Sequence, residues 1–175
     1  MGDGMSDQTV WGNALYDTLV AEGVTLFTYV PDGGHKVMIQ RSLDDPRVRS
    51  VPLTTEEEGV AMAAGAYLGG IKSVLLMQSS GAGNCVNMLS LIANGQFPFV
   101  GFVTMRGTFG EENPWQVPMG LAVRPALESV GVVCLSVEHP DEVAATARAA
   151  LAMAYRSRCG VAVLLSQKLI GAKAF

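Results

Sequence analysis

Short apolar runs alternating with helix-period stretches constrain the fold of this chain more than any other feature. The runs fall at residues 26–30, 48–53, 73–77, 97–105, 130–137 and 161–165. Each has the length of a buried strand, and parallel strands concentrate apolar residues in this way. Between them, Trp11, Leu15, Thr18, Leu19 and Glu22 keep helical spacing, with Ser6 and Asp7 placed to cap and Gly23 to stop. A short helix is expected over 36–43. A second, Ala-rich one over 57–68 puts Val60, Ala63, Ala64, Tyr67 and Leu68 on one face. Residues 79–84 read as a Gly-rich turn, 86–93 as a helix and 106–119 as a long irregular segment. Pro140 suits the first turn of a last helix whose stripe is Val143, Ala147, Ala150, Leu151 and Ala154.

Six strands separated by helices predict an α/β doubly wound domain over residues 1–175, a six-stranded parallel sheet with helices on both faces. Residues 1–7 are expected to be flexible. In such sheets ligands sit beyond the carboxyl ends of the strands. That rule selects the loops at 30–36, 54–59, 77–84 and 105–119.

Composition narrows the function classes. Hydrophobic residues make up 49% of the 175, and charged residues 16%, with a net charge of −4. Disorder is excluded as the general state, and so is nucleic-acid binding driven by bulk charge. No apolar run approaches the roughly 18 residues that a spanning helix needs, so no membrane association is expected. Residues 1–12 have neither a basic start nor an apolar stretch. Cys85, Cys134 and Cys159 are scattered, as in a reducing cytoplasm. Low charge also points to some surface covered by another subunit.

The usual catalytic sets are missing. There is no Gly-x-Ser-x-Gly elbow, no Gly-Lys-Ser/Thr phosphate loop, and no zinc-like cluster around His35 or His139. Two readings stand for residues 79–84: a tight strand-to-helix turn, or a backbone cradle for an anion. Two also stand for Glu56-Glu57-Glu58. First-turn carboxylates complement the helix dipole. Equally, Glu56 lies just after a buried strand at the crevice end of the sheet, where a carboxylate can exchange a proton with a ligand heterocycle.

The stretch from Thr55 to Gly65, Thr-Glu-Glu-Glu-Gly-Val-Ala-Met-Ala-Ala-Gly, resembles the glutamate segment of thiamine diphosphate-dependent decarboxylases. Residues 77–84, Met-Gln-Ser-Ser-Gly-Ala-Gly-Asn, are similar to a run of the branch that holds phosphonopyruvate decarboxylase and the alpha subunit of sulfopyruvate decarboxylase. Val30-Pro31-Asp32, Arg106-Gly107 and Gln116-Val117-Pro118-Met119-Gly120 agree in order, so the resemblance spans nearly the whole chain.

The resemblance implies a pyrimidine-binding domain whose glutamate bonds a ring nitrogen of the aminopyrimidine. The family spacing from Gly65 lands on Glu56, which shares a proton with the ring and so favours the tautomer that activates the cofactor. Gln78, Ser79, Ser80, Gly81, Gly83 and Asn84 are implied to line the cofactor crevice. Asp32 is implied to orient substrate or relay protons, the rival being a turn-forming Asp before Gly33. His35 is a candidate acid or substrate contact, the rival being a solvated loop histidine. Arg106 is a candidate partner for a sulfonate or phosphonate, the rival being an ion pair. Gln116 is a further substrate-side candidate.

Full-length relatives also bind diphosphate and Mg2+ through Gly-Asp-Gly and a downstream Asn. Gly2-Asp3-Gly4 spells the first part, but with no preceding strand and no suitably placed Asn. It reads as a coincidence, and no metal ligand is expected in this chain. A separate beta subunit is therefore expected to supply Mg2+ and diphosphate binding in a hetero-oligomer. The implied reaction takes sulfopyruvate to sulfoacetaldehyde and carbon dioxide. Alternatives at this point are a phosphonopyruvate decarboxylase or another 2-oxo acid lyase or carboligase subunit, and a non-catalytic α/β binding or scaffolding subunit.

Overall fold

The computed structural model describes residues 4–171, with side chains described from Thr9 onward. In chain order the elements are α1 (Gly4–Ala21), β1 (Val24–Tyr29), α2 (Lys36–Asp44), β2 (Arg49–Pro52), α3 (Glu56–Leu68), β3 (Lys72–Gln78), α4 (Ser79–Asn84), α5 (Val86–Leu89), α6 (Leu91–Gly95), β4 (Phe99–Thr104), α7 (Gln116–Ser129), β5 (Val133–Val137), α8 (Val143–Ser157), β6 (Gly160–Leu165) and α9 (Gln167–Ile170). One-turn 3-10 segments at Gly33–His35 and Pro140–Glu142 lead into α2 and α8.

All strands are parallel, in the order β2-β1-β3-β4-β6-β5. This is the doubly wound six-stranded sheet that the alternation predicts. The two-residue period of a strand sends neighbours to opposite faces. Leu76, Phe102 and Val163 are laterally paired in the sheet and face α1, α2 and α8 through Trp11, Leu15, Leu19, Met38, Ala147 and Leu151. Leu75, Met77, Val103 and Leu164 face the other way, onto Val60 and Ala63 of α3, Leu89 and Ile92, and Val123 and Leu127 of α7. β4 and β6 are buried along their full length, as central strands covered on both sides must be.

The chain leaves β1 toward β2, then crosses back over β1 by way of α3 to reach β3. Strand order therefore reverses between β1 and β3. The crevice rule places a ligand beyond their carboxyl ends, and the segments there open with Pro31, Thr55 and Ser79.

Several local expectations are corrected. Helix α1 reaches back to Gly4, so Ser6 and Asp7 stand inside it rather than capping it, and residues 4–7 are helical. Residues 1–3 of the segment expected to be flexible lie outside the described residues. The Gly-rich stretch 79–84 winds into α4. The helix expected over 86–93 divides at Ser90, whose hydroxyl donates to the Asn87 carbonyl at 2.6 Å, a local bond that competes with helical pairing. Helix α7 opens inside the segment read as irregular. Pro118 in its first turn loses no hydrogen bond, while Pro125 sits within the helix. Tyr67 and Leu68 end α3 in solvent beside Leu91 and Phe97, Leu68 at 87% exposure. No helix among the described residues is long and apolar enough to cross a membrane.

Candidate functional site

Glu56 is the first residue of α3 and is 8% exposed. Leu53, just beyond β2, donates its N–H to the Tyr29 carbonyl at 2.8 Å, so the approach to α3 is tied to the end of β1. The Glu56 carboxylate is fixed from α4. Oε2 accepts from Asn84 Nδ2 at 3.0 Å, and the carboxyl lies so close over Gly81 that a Cβ there would overlap it. Gly81 is thus required by approach and not by backbone freedom. Oε1 has no partner among the described residues and is not sealed from solvent. A carboxylate with one oxygen anchored and the other open is built to exchange a hydrogen bond with something that arrives. Beneath it, burial pushes the Cys85 thiol up to about 12, and Glu56 and Glu57 add to the shift, so Cys85 stays a neutral packing group.

Asp32 follows β1 and is half-buried. Its Oδ2 accepts from Thr104 Oγ1 at 2.6 Å and from the Gly34 N–H at 3.2 Å. Asp32 is therefore both a turn former and a link from the β1 exit to the end of β4. A side chain at Gly34 would press on Thr104 at 2.6 Å, which explains the small residue there.

His35 is corrected in place and in role. Its ring is fully buried, and Nε2 lies 3.0 Å from the Phe102 carbonyl and 3.3 Å from that of Met77. Two carbonyls at one nitrogen require that nitrogen to carry the proton, so the ring is the Nε2–H tautomer. Burial lowers its pKa; Asp32 and the two carbonyls oppose the shift without cancelling it. A neutral, enclosed imidazole cannot donate as an acid near neutral pH. It clamps the adjacent ends of β3 and β4. Its Nδ1 is buried without a partner among the described residues.

Ser79 opens α4 fully buried, and its hydroxyl accepts from the Arg106 N–H at 3.1 Å. Arg106 leaves β4 beside it, 6% exposed, and its side chain turns to Glu111. Nε reaches Oε2 at 2.9 Å and Nη2 reaches Oε1 at 3.0 Å, a forked pair. The ion-pair reading of Arg106 therefore holds for two of its nitrogens; Nη1 has no partner among the described residues. Gly107, at φ 75°, and Gly120 let this exit cross the start of α7. A Cβ at Gly107 would overlap the Gln116 carbonyl, and one at Gly120 would overlap that of Arg106.

The other candidates lie around this edge. Gln78 ends β3 and donates from Nε2 to the exposed Ser80 hydroxyl at 3.0 Å. Gly83 packs under Met119 of α7, where a Cβ would meet its sulfur at 3.0 Å. Gln116 starts α7 with Oε1 buried and unpartnered among the described residues. Sequence reasoning missed Thr104, Glu111 and Gln167. None stands in a motif, and each is recognised only by what it touches. Among the described residues no group of three or more His, Cys, Asp and Glu could hold a metal ion. Gly2 and Asp3 lie outside the described residues, and Gly4 belongs to α1.

No family model matches the chain. It is 35% identical over 153 residues to the sulfopyruvate decarboxylase subunit alpha of Methanococcus maripaludis, covering 87% of this chain and 92% of that one. It is 31% identical to the subunit of the same name from Methanocaldococcus jannaschii, covering 86% and 90%. A phosphonopyruvate decarboxylase of Streptomyces viridochromogenes is 40% identical over 96 residues, 54% of this chain but 24% of that protein. A 2-oxoglutarate:ferredoxin oxidoreductase from Magnetococcus marinus shares the fold, with a TM-score of 0.75 and 19% identity over 91% of this chain and 29% of its own. The alpha-subunit matches cover most of both chains, and the chain belongs to the alpha-subunit family of thiamine diphosphate-dependent decarboxylases, which are carboxy-lyases.

Proposed function

We propose that this chain is the pyrimidine-binding alpha subunit of a sulfopyruvate decarboxylase, working in a hetero-oligomer with a separate beta subunit that binds Mg2+ and diphosphate. The reaction is sulfopyruvate to sulfoacetaldehyde and carbon dioxide. One observation carries the reading: the Glu56 carboxylate at the crevice edge, one oxygen held by Asn84 and the other open. Sulfopyruvate is put first because the matches of subunit length carry that name. The chain covers nine-tenths or more of the alpha subunits named above but only 24% of the phosphonopyruvate decarboxylase. That contrast also supports a site completed by another polypeptide.

The residues present fit the aminopyrimidine of thiamine diphosphate. Oε1 of Glu56 offers an acceptor that can take a proton, and the absence of a side chain at Gly81 gives that oxygen its room. When bound, the cofactor supplies the electron sink for loss of carbon dioxide. This chain's part is to hold and move protons. Glu56 shares a proton at Oε1, and Asn84 holds the other oxygen, Oε2. Gln78, Ser80 and Gly83 wall the crevice, and the buried Ser79 holds the Arg106 N–H behind them. Asp32, fixed by Thr104, orients substrate or relays a proton at its carboxylate. Arg106 and Gln116 stand on the substrate side. His35 contributes by holding the β3 and β4 ends in register.

The test is reconstitution. The chain, a candidate beta subunit, thiamine diphosphate, Mg2+ and sulfopyruvate are expected to release carbon dioxide only when both polypeptides are present. Beta-subunit activity that is unchanged by this chain would overturn the reading in favour of a silent scaffold.

A further inference from the structure

Glu111 is a buried carboxylate that no motif announces. Its side chain is 2% exposed. Five donors converge on it. Arg106 supplies Nε and Nη2; the Gly107 N–H reaches Oε2 at 3.1 Å and the Asn113 N–H reaches Oε1 at 3.0 Å; Gln167 Nε2 reaches Oε2 at 2.9 Å. Gln167 is itself 1% exposed, and its Oε1 accepts from the N–H groups of Thr108 and Phe109, each at 3.0 Å. The β4 exit is thereby tied to α9, which follows β6.

We propose that Glu111 is a positioning residue for recognition of the substrate's anionic tail, acting through Arg106, with Gln167 as its brace. The proposal rests on the function proposed above. An arginine on a loop has many rotamers, and holding one of them reduces the ordering left to binding. Here the Nε and Nη2 edge is locked onto Glu111, which leaves Nη1 as the edge available to a ligand. The arrangement is also stable to pH. The Arg106 guanidinium and the further donors hold its carboxyl down at about 2 against an opposing effect of burial, so the pair stays ionised. A sulfonate at Nη1 meets the cation first and the carboxylate only behind it. The guanidinium is therefore aimed as well as charged, and a bare cation on a mobile side chain would discriminate less.

The experiment compares two inert ligands on the assembled alpha–beta complex by titration calorimetry: 3-sulfopropanoate, which carries the tail, and propanoate, which lacks it. Wild type is expected to prefer the sulfonate. Glu111→Gln is expected to weaken the sulfonate by about tenfold while leaving propanoate nearly unchanged. Gln167→Met keeps the ion pair and removes the brace; it is expected to shift the same preference by a smaller factor, and it serves if Glu111→Gln does not fold. With sulfopyruvate as substrate the loss is expected mainly in KM. The proposal is overturned by an unaltered preference in a folded variant, by equal weakening of both ligands, or by a wild type that has no preference. Carbon dioxide release from the wild-type complex is scored separately. Its absence beside a Glu111-dependent sulfonate preference would sink the decarboxylase reading and leave this one standing.

Discussion

At the scale of single residues, the site depends on contact distances that leave no room for larger groups. Gly81 faces the Glu56 carboxyl so closely that one added methyl must displace it. Gly81→Ala is therefore expected to lower carbon dioxide release by the assembled complex by about tenfold or more through misplacement of Glu56. The far-ultraviolet circular dichroism should stay native, and full activity in Gly81→Ala would show that the contact is idle. His35 yields a prediction about stability. Its folded pKa lies below the ordinary 6.5 because burial disfavours the charged ring. The neutral form is thus favoured by folding. Its stabilisation is complete above pH 6.5 and is lost as the pH falls below that value, since the unfolded chain takes up the proton first. Chemical denaturation of wild type between pH 7 and 5 should show this slope, and His35→Gln, which can still donate to the carbonyls, should flatten it. An identical slope in both proteins would remove His35 as the cause.

At the scale of elements, the sheet was readable in the sequence and the connections were less so. Strands β3, β4 and β6 announce themselves as apolar runs because both faces are covered. Helix α8 shows its stripe, and all five expected residues are buried. Helix α7 is hidden by Pro118, Gly120 and Pro125, which read as breakers until tertiary contacts explain them. Glu56 and Asn84 were legible through their runs, but the bond that joins them spans 28 residues and has no local signal. His35 was misjudged for the same reason: its partners are carbonyls of β3 and β4, which no pattern near residue 35 reveals. The crossing of the β4 exit over α7 gives this scale its prediction. In Gly120→Ala the new methyl meets the Arg106 carbonyl, a backbone atom that cannot step aside. A loss of about 1–3 kcal/mol in urea denaturation is expected. Wild-type stability would mean that the crossing is looser than described.

At the scale of the whole molecule, topology and length argue together. The reversal of strand order between β1 and β3 sets the crevice, and Glu56, Ser79 and Asp32 all lie on segments that leave its rim. The described residues include no grouping able to hold a metal ion, while the proposed chemistry calls for diphosphate held through one. The chain covers nine-tenths or more of the alpha subunits it matches but 24% of a longer decarboxylase, which agrees with the shared site proposed above. The remaining half is expected on the beta subunit.

The most direct measurement is turnover of sulfopyruvate by the reconstituted alpha–beta complex carrying Glu56→Gln. Glutamine keeps the size and the hydrogen-bonding capacity of the side chain but cannot accept the proton. Carbon dioxide release should fall by about a hundredfold or more while the complex still assembles. Turnover close to that of wild type would contradict the account, because the open oxygen of Glu56 would then have no part in the chemistry.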